Sequence, residues 1–236
     1  MDAPKSICVL ADSHAAALRR GWSLIEEEFP GTALTFFAGT SGEWNSLRLD
    51  DGKLAPTSPI LQEHFARSAR KPAIADDYDA YLVCSIGLAI SFALKQWLQQ
   101  DRQDWPLHRA AVARHIRNTN CAHALALLRK ITAKPVLLMA APFQPQDYCL
   151  FSPSLDDETT TRIRTEFFEE CEALAARNRA TFFRQPKRTW APNGVTTQMQ
   201  FASLSLPDGR DDRRHCNPRY GALVLRRVLE SGFGGD

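Results

Sequence analysis

Short runs of apolar residues alternate with longer amphipathic segments along this chain. A short unbroken apolar run is typical of a strand buried on both faces of a sheet, whereas apolar residues at every third or fourth position are typical of a helix. The pattern predicts strands over residues 6–11, 33–38, 79–85, 135–141 and 180–183. It predicts helices over residues 14–29, 88–100, 107–132, 157–177 and 218–229.

The segment over residues 46–77 departs from this alternation. Asp51-Gly52 lies between Leu49 and Leu54 and is a hairpin signal, because both turn residues tolerate a positive φ angle. Residues 55–77 are rich in proline and predict irregular structure. We therefore expect residues 46–77 to form an insertion or lid, within a single domain that spans residues 1–236.

The order of the predicted elements indicates an α/β fold, in which helices cover both faces of a mostly parallel, five-stranded sheet. Such a fold is a three-layer α/β/α sandwich, to which the small β-hairpin is added. Functional sites in open parallel sheets lie at the carboxyl ends of the strands. Ser13, Gly39, Gly42 and Gly87 all follow predicted strands, so we expect the site at that edge of the sheet.

Composition excludes several classes of function. Lys and Arg total 29 and Asp and Glu total 27, with the basic residues scattered, so nucleic acid is not expected as a partner. The absence of a signal-peptide pattern and of a long apolar stretch predicts a cytoplasmic protein without a membrane span. The six cysteines form no C-x-x-C pair, so neither a metal nor another cofactor is expected. The sequence leaves the oligomeric state open.

Three residues from opposite ends of the chain could together form a serine hydrolase triad. Ser13 follows the first strand, and Asp212 precedes His215 by three positions, just before the last helix. A serine hydroxyl needs a base to become a good nucleophile, and a histidine base needs a carboxylate that fixes its tautomer. We predict these three catalytic roles, with Asp211 as an alternative carboxylate. The competing interpretation makes Ser13 a helix N-cap and places His215 beside a solvated charged segment over 210–214.

An oxyanion that develops during acyl transfer also needs hydrogen-bond donors. The backbone N–H of Ser13 is one candidate, because it lies where a strand turns into a helix. Gly39 or Gly42 could supply a second N–H, since glycine permits close approach to a substrate. Trp190, in the loop before the Asp212 motif, is a candidate for substrate contact.

These motifs resemble those of the SGNH, or GDSL-like, hydrolase superfamily. Ala11-Asp12-Ser13-His14 is similar to the Gly-Asp-Ser block, Gly39 or Gly42 to the glycine after the second strand, and Asp212-x-x-His215 to the block before the last helix. The resemblance implies a flavodoxin-like sheet and the Ser-His-Asp triad named above. The Ser13-His14-Ala15 run is similar to a variant found in bacterial members that act on acylated glycans.

The chain departs from the superfamily pattern in two blocks. Ala11 stands in place of the usual first glycine. Ser85-Ile86-Gly87 keeps the glycine of the third block but lacks its asparagine, which donates to the oxyanion in the superfamily. Asn45 is the candidate that could replace this donor.

The sequence therefore predicts a serine esterase or acyltransferase of SGNH type. Its expected substrate is a carbohydrate ester or another small ester that carries a small acyl group such as acetyl. The alternative is a catalytically weak or inactive SGNH-like domain that binds a glycan or a protein partner, and the missing third-block asparagine motivates this alternative.

Overall fold

The structure is a computed structural model and describes residues 5–100, 104–148, 155–203, 212, 215–231 and 233. Its strands are β1 (Ser6–Ala11), β2 (Ala33–Ala38), β3 (Leu47–Asp50), β4 (Lys53–Pro56), β5 (Ala80–Cys84), β6 (Val136–Met139) and β7 (Thr181–Phe182). Its α-helices are α1 (Ala15–Trp22), α2 (Pro59–Ser68), α3 (Ile90–Leu98), α4 (Trp105–Arg117), α5 (Asn120–Ile131), α6 (Asp157–Arg177) and α7 (Pro218–Glu230).

The main sheet has five parallel strands in the order β2-β1-β5-β6-β7. The chain first moves outward from β1 to β2 and then crosses back to place β5 on the other side of β1. The strand order therefore reverses between β1 and β5. A ligand site is expected there in a parallel sheet.

Alternate side chains of each strand enter opposite apolar layers, as the pleat of a strand requires. In β1, Cys8 and Leu10 face the layer that holds α2 to α6, whereas Ile7 and Val9 face the layer that holds α1 and α7. All four are almost completely buried. The predicted three-layer α/β/α arrangement is thereby confirmed.

Helices α1 and α7 pack in backbone contact through two glycines. A Cβ added to Gly221 would lie 1.9 Å from the carbonyl oxygen of Ala17, and one added to Gly21 would lie 2.2 Å from the amide nitrogen of Ala222. Only glycine fits at such a crossing. The contact matters for function because α1 follows Ser13 directly and α7 follows His215.

The small hairpin forms as predicted. Strands β3 and β4 pair antiparallel around Asp51 and Gly52. Both turn residues have positive φ angles, 43° and 69°, as a two-residue hairpin turn of type I′ requires.

The prediction of irregular structure over residues 55–77 was wrong, because Pro59–Ser68 form α2. Pro59 occupies the first turn, where a missing N–H costs no hydrogen bond. Leu61 and Phe65 lie four positions apart and are fully buried against the sheet. The prolines in this segment therefore mark where secondary-structure elements begin or end, and do not indicate irregular structure.

Two predicted helices are shorter or divided in the structure. The helix expected over residues 14–29 ends at Trp22, and Glu26–Glu28 form one 3-10 turn. The helix expected over residues 107–132 divides into α4 and α5, because the hydroxyl of Thr119 caps a new helix by accepting from the N–H of Ala122 at 3.2 Å. Across the described part of the chain, we find no helix with the length and apolar character needed to cross a membrane.

Candidate active site

Ser13 occupies the turn that joins β1 to α1. The N–H of Ala15 donates to the carbonyl of Asp12 at 3.0 Å, which closes this turn and begins the helix. The side chain of Ser13 is exposed, although the residues on both sides of the turn are largely buried. The hydroxyl is therefore open to a ligand at the carboxyl end of the sheet.

His215 and Asp212 lie next to Ser13. Nε2 of His215 is 2.9 Å from Oγ of Ser13, and Nδ1 of His215 is 2.9 Å from Oδ1 of Asp212. The same carboxylate oxygen accepts the backbone N–H of His215 at 3.0 Å. The side chain of Asp212 is 6% exposed and that of His215 is 26% exposed, so the carboxylate lies beneath an imidazole that reaches the surface.

This arrangement determines what the imidazole can do. A carboxylate that faces Nδ1 favours the tautomer with the proton on Nδ1, since that N–H then donates to Asp212. The lone pair of Nε2 is left facing the hydroxyl of Ser13 and can accept its proton. The neighbouring thiol of Cys216 is a poor rival nucleophile, because burial raises its pKa far above the usual range.

The backbone around His215 is held on both sides. The N–H of Ser203 donates to the carbonyl of His215 at 2.9 Å, and Ala202 pairs with Cys216 in an antiparallel bridge. Asn217 then caps α7, since its side-chain oxygen accepts from the N–H of Tyr220 at 3.1 Å. The Ala202–Cys216 bridge and the start of α7 therefore hold the backbone of His215 in place.

His14 lines a separate cleft on the other side of the turn. Its ring centroid lies 5.1 Å from that of His215. Burial lowers the pKa of the His14 imidazole below its ordinary value, and the nearby Asp12 carboxylate opposes this only in part. The cleft has a volume of about 310 Å³, and its lining also includes Ile90, Ser91 and Gln144.

Asp12 is the centre of a buried hydrogen-bond network beneath Ser13. Its Oδ2 accepts from the hydroxyls of Ser41 at 2.6 Å and Ser85 at 2.7 Å, and its Oδ1 accepts from the N–H of His14 at 3.2 Å. Asn120 extends the network by donating to the carbonyl of Ser41 at 2.7 Å. One carboxylate therefore joins the loops that follow β1, β2 and β5.

The loop after β5 has an uncommon backbone conformation. Ser85, Ile86 and Gly87 have φ angles of 68°, 49° and 81°, and a positive φ is unfavourable for a β-branched residue such as Ile86. The hydrogen bond from Ser85 to Asp12 holds this turn, as does the one from the N–H of Cys121 to the carbonyl of Ile86 at 3.0 Å. Strained backbone of this kind clusters at functional sites.

The candidate oxyanion donors differ in whether their backbone N–H groups already have an acceptor within the protein. The N–H of Gly39 donates to the carbonyl of Ala11 at 3.2 Å, and that of Gly87 lies 3.4 Å from Oδ2 of Asp12, so both already have acceptors within the protein. Within the described ranges, the N–H of Ser13 has no such acceptor. The carbonyl of Gly42 lies 3.5 Å from the side-chain nitrogen of Asn120.

Two further candidates are placed away from the Ser13–His215 pair. Asn45 is exposed and lines a different cleft, beside the start of α5. Trp190 packs against Phe143 and Phe168, and its indole N–H donates to the carbonyl of Gln185 at 3.1 Å. The alternative carboxylate Asp211 lies outside the described residues.

The sequence analysis placed Asp12 in the block that carries Ser13 but did not predict its hydrogen-bond partners. Ser41 and Ser85 come from loops after two other strands, and Asn120 comes from α5. The available signal was that Ser41 follows one predicted strand and Ser85 ends another, which brings both serines to the same edge as Ser13. No group of three or more His, Cys, Asp or Glu side chains suited to a metal ion is present among the residues described.

Replacing Asp12 with alanine is expected to lower the free energy of unfolding by about 2–4 kcal/mol. Ser85 is 1% exposed, and a buried hydroxyl that loses its acceptor costs about 1–3 kcal/mol in addition to the lost charge-assisted bonds. Urea denaturation measures the change. Asp79→Ala is the matched control, because the Asp79 carboxylate accepts three hydrogen bonds but is exposed. Equal losses in the two variants would contradict the buried role of Asp12.

No protein-family model and no curated protein matches this chain. Among solved structures, the extracellular lipase of Streptomyces rimosus is similar with a TM-score of 0.52 and 12% identity, over 96% of this chain and 99% of the lipase. An acetyl-xylooligosaccharide esterase of Geobacillus gives a TM-score of 0.46 and 13% identity, over 100% of this chain and 97% of the esterase. The periplasmic domain of a Salmonella Paratyphi A lipopolysaccharide acetyltransferase gives 0.43 and 11%, over 98% and 84%. The chain therefore shares the α/β fold of the Streptomyces lipase, built on a five-stranded parallel sheet.

Proposed function

We propose that this protein is a serine esterase or acyltransferase that uses Ser13 as nucleophile, His215 as general base and acid, and Asp212 as the carboxylate that orients His215. The observation that carries the proposal is the unbroken series of contacts from Oγ of Ser13 to Nε2 of His215 and from Nδ1 of His215 to Asp212, both at 2.9 Å. These distances are within hydrogen-bond reach, as proton transfer requires. The similarity of the fold to that of the Streptomyces rimosus lipase supports the same chemistry.

The geometry supports a two-step reaction. Oγ of Ser13 attacks the ester carbonyl carbon as Nε2 of His215 takes the hydroxyl proton, and the tetrahedral oxyanion collapses as the imidazolium returns that proton to the leaving alcohol. Water or an acceptor hydroxyl then attacks the acyl-Ser13 as His215 takes its proton. The acyl–Oγ bond breaks as the imidazolium returns that proton to Ser13, which releases the carboxylic acid or the new ester. Asp212 stabilises the positive imidazole in both steps. The N–H of Ser13 is the donor that we assign to the oxyanion.

We propose a small ester as the substrate. In the described part of the chain, the exposed Ser13 hydroxyl lines a surface groove, which suits a short acyl group on a larger alcohol. The resemblance of Ser13-His14-Ala15 to glycan-acting members supports an acetylated carbohydrate as that alcohol. Water and a sugar hydroxyl remain two alternative acceptors.

A second candidate function is that of a binding domain with little or no turnover. It is favoured by the acceptors that already occupy the N–H groups of Gly39 and Gly87, and by the lack of an asparagine in the Ser85-Ile86-Gly87 turn. Loss of one oxyanion donor typically costs about 2.7–4 kcal/mol of transition-state stabilisation. This candidate predicts ligand binding that survives Ser13→Ala.

Labelling with a fluorophosphonate probe distinguishes the two functions. We expect covalent modification of Ser13, located by mass spectrometry, because a base-activated serine attacks phosphorus much as it attacks an ester carbonyl. Ser13→Ala and His215→Ala should abolish the labelling. Ser23→Ala is the matched control, since Ser23 is exposed at the end of α1 and has no histidine partner, and its labelling should equal that of the unmodified sequence. A folded protein that does not label would favour the binding function.

A further inference from the structure

A groove runs beside Ser13 between α1, the end of β2 and α2. We call it the α1–α2 groove, and its volume is about 400 Å³. Ser13 is one of its lining residues, and Ala15, Ala16, Ala38 and Gly39 supply small side chains that leave the space open. A ligand bound at Ser13 therefore has room to extend along this groove.

The walls of the α1–α2 groove carry basic side chains. Arg19 and Arg20 line it from α1, and His64 lines it from α2. Arg19 lies four positions after Ala15, and Arg20 lies four positions after Ala16, so both share the helix face that borders the groove. The guanidinium of Arg67 donates to Nδ1 of His64 at 3.2 Å, which makes the other ring nitrogen of His64 a donor.

Among the described residues that line the groove, no exposed acid offsets these charges. Asp12 is the one acidic residue in the lining, and its carboxylate is buried and already accepts two hydroxyls. Among the described residues, neither Arg19 nor Arg20 forms an ion pair. Glu28, which follows α1 in the chain, pairs instead with Arg226 at 2.6 Å. The groove therefore presents positive charge to whatever extends from Ser13.

We propose that the α1–α2 groove binds an anionic group, a carboxylate or a phosphate, on the alcohol portion of the ester. The inference rests on the proposed function for its placement, since a small acyl group has no room for a charge and the alcohol must carry it. Arg19 lies six positions after Ser13, and at 1.5 Å per helical residue this is about 9 Å along the direction of α1. The anion then lies within roughly that distance of the reacting carbonyl.

Turnover of matched esters tests the proposal. The charged esters are 4-acetoxybenzoate and 4-acetoxyphenyl phosphate, and the neutral ones are methyl 4-acetoxybenzoate and the dimethyl phosphate triester. We expect kcat/KM for acetate release to favour each charged ester by up to about fivefold, since an exposed charge pair contributes up to about 1 kcal/mol. The preference should appear in KM and should weaken between about 20 mM and about 500 mM salt. The two charged esters distinguish a carboxylate preference from a phosphate preference.

Variants assign the preference to the groove. In Arg19→Gln/Arg20→Gln, the ratio of kcat/KM for charged and neutral esters should fall toward one. Arg114→Gln is the matched control, because Arg114 is exposed on α4, away from the groove, and should keep the ratio of the unmodified sequence. A ratio that is near one before substitution, or that survives the double substitution, overturns the proposal.

A binding measurement separates this inference from the proposed function. NMR titration of the unmodified sequence with 4-acetamidobenzoate and its methyl ester compares a charged and a neutral amide that a weak esterase leaves intact. Tighter binding of the charged amide that is lost in Arg19→Gln/Arg20→Gln supports the groove even if Ser13 never labels with fluorophosphonate. Labelling of Ser13 together with equal binding of both amides retains the esterase and rejects the anion site.

Discussion

Replacement of Ser13 with alanine is expected to lower kcat for ester hydrolysis by on the order of 10⁴-fold or more. The alanine has no hydroxyl to form the acyl intermediate, so only the weak catalysis by binding and by oxyanion stabilisation remains. His215→Ala should have an effect of similar size, because it leaves the Ser13 hydroxyl without the base that lies 2.9 Å away. Initial rates on a neutral aryl acetate measure both losses.

The double variant gives the sharper test. Residues that act as one catalytic unit show non-additive losses, so Ser13→Ala/His215→Ala should be about as slow as either single variant. Thermal unfolding serves as the control for folding, since Ser13 is exposed and its loss should leave the midpoint nearly unchanged. Multiplicative losses in the double variant, or full turnover in Ser13→Ala, would show that the two side chains do not act together.

Gly221→Ala is expected to destabilise the protein by about 3 kcal/mol or more, although alanine is normally the better helix former by about 0.5–1 kcal/mol. The added Cβ would lie 1.9 Å from the carbonyl oxygen of Ala17 and 3.0 Å from the Cα of Leu18. Both are backbone atoms, so no side-chain rotation relieves the overlap and α7 must move away from α1. Urea denaturation measures the loss.

The same substitution should also lower activity. A shift of α7 carries the segment that holds His215 away from the turn that holds Ser13, so kcat should fall even in the fraction that remains folded. Gly42→Ala is the control for stability, because its added Cβ meets nothing within 4 Å and its φ is ordinary. A stable Gly221→Ala variant would show that the two helices are not in backbone contact.

Much of the sheet could be predicted because each buried strand is a continuous apolar run. The bounds of β1 and β2 match the apolar pattern at Ser6–Ala11 and Ala33–Ala38, and the long helix α6 matches at Asp157–Arg177. Helix α2 was missed because prolines near its start resemble loop residues when their neighbours are unknown. The break between α4 and α5 depends on one cap at Thr119, which a periodic apolar pattern conceals.

The candidate site was only partly accessible to sequence reasoning. Ser13, Asp212 and His215 carry recognisable chemistry, and the structure brings them into hydrogen-bond contact. Their catalytic roles stay a prediction. The network around Asp12 and the contact between Gly21 and α7 could not be predicted, because both depend on which loops and helices become neighbours. Their residues lie in segments that are far apart in the chain.

The separation of Ser13 and His215 by 202 positions has a consequence for the timing of synthesis. At about 5–20 residues per second, the ribosome adds the base roughly 10–40 s after the nucleophile. During this interval the growing chain carries Ser13 without the imidazole that lies next to it in the folded protein. Under the proposed function, we expect esterase activity only after α7 docks on α1, and no fluorophosphonate labelling of a chain that ends before residue 215.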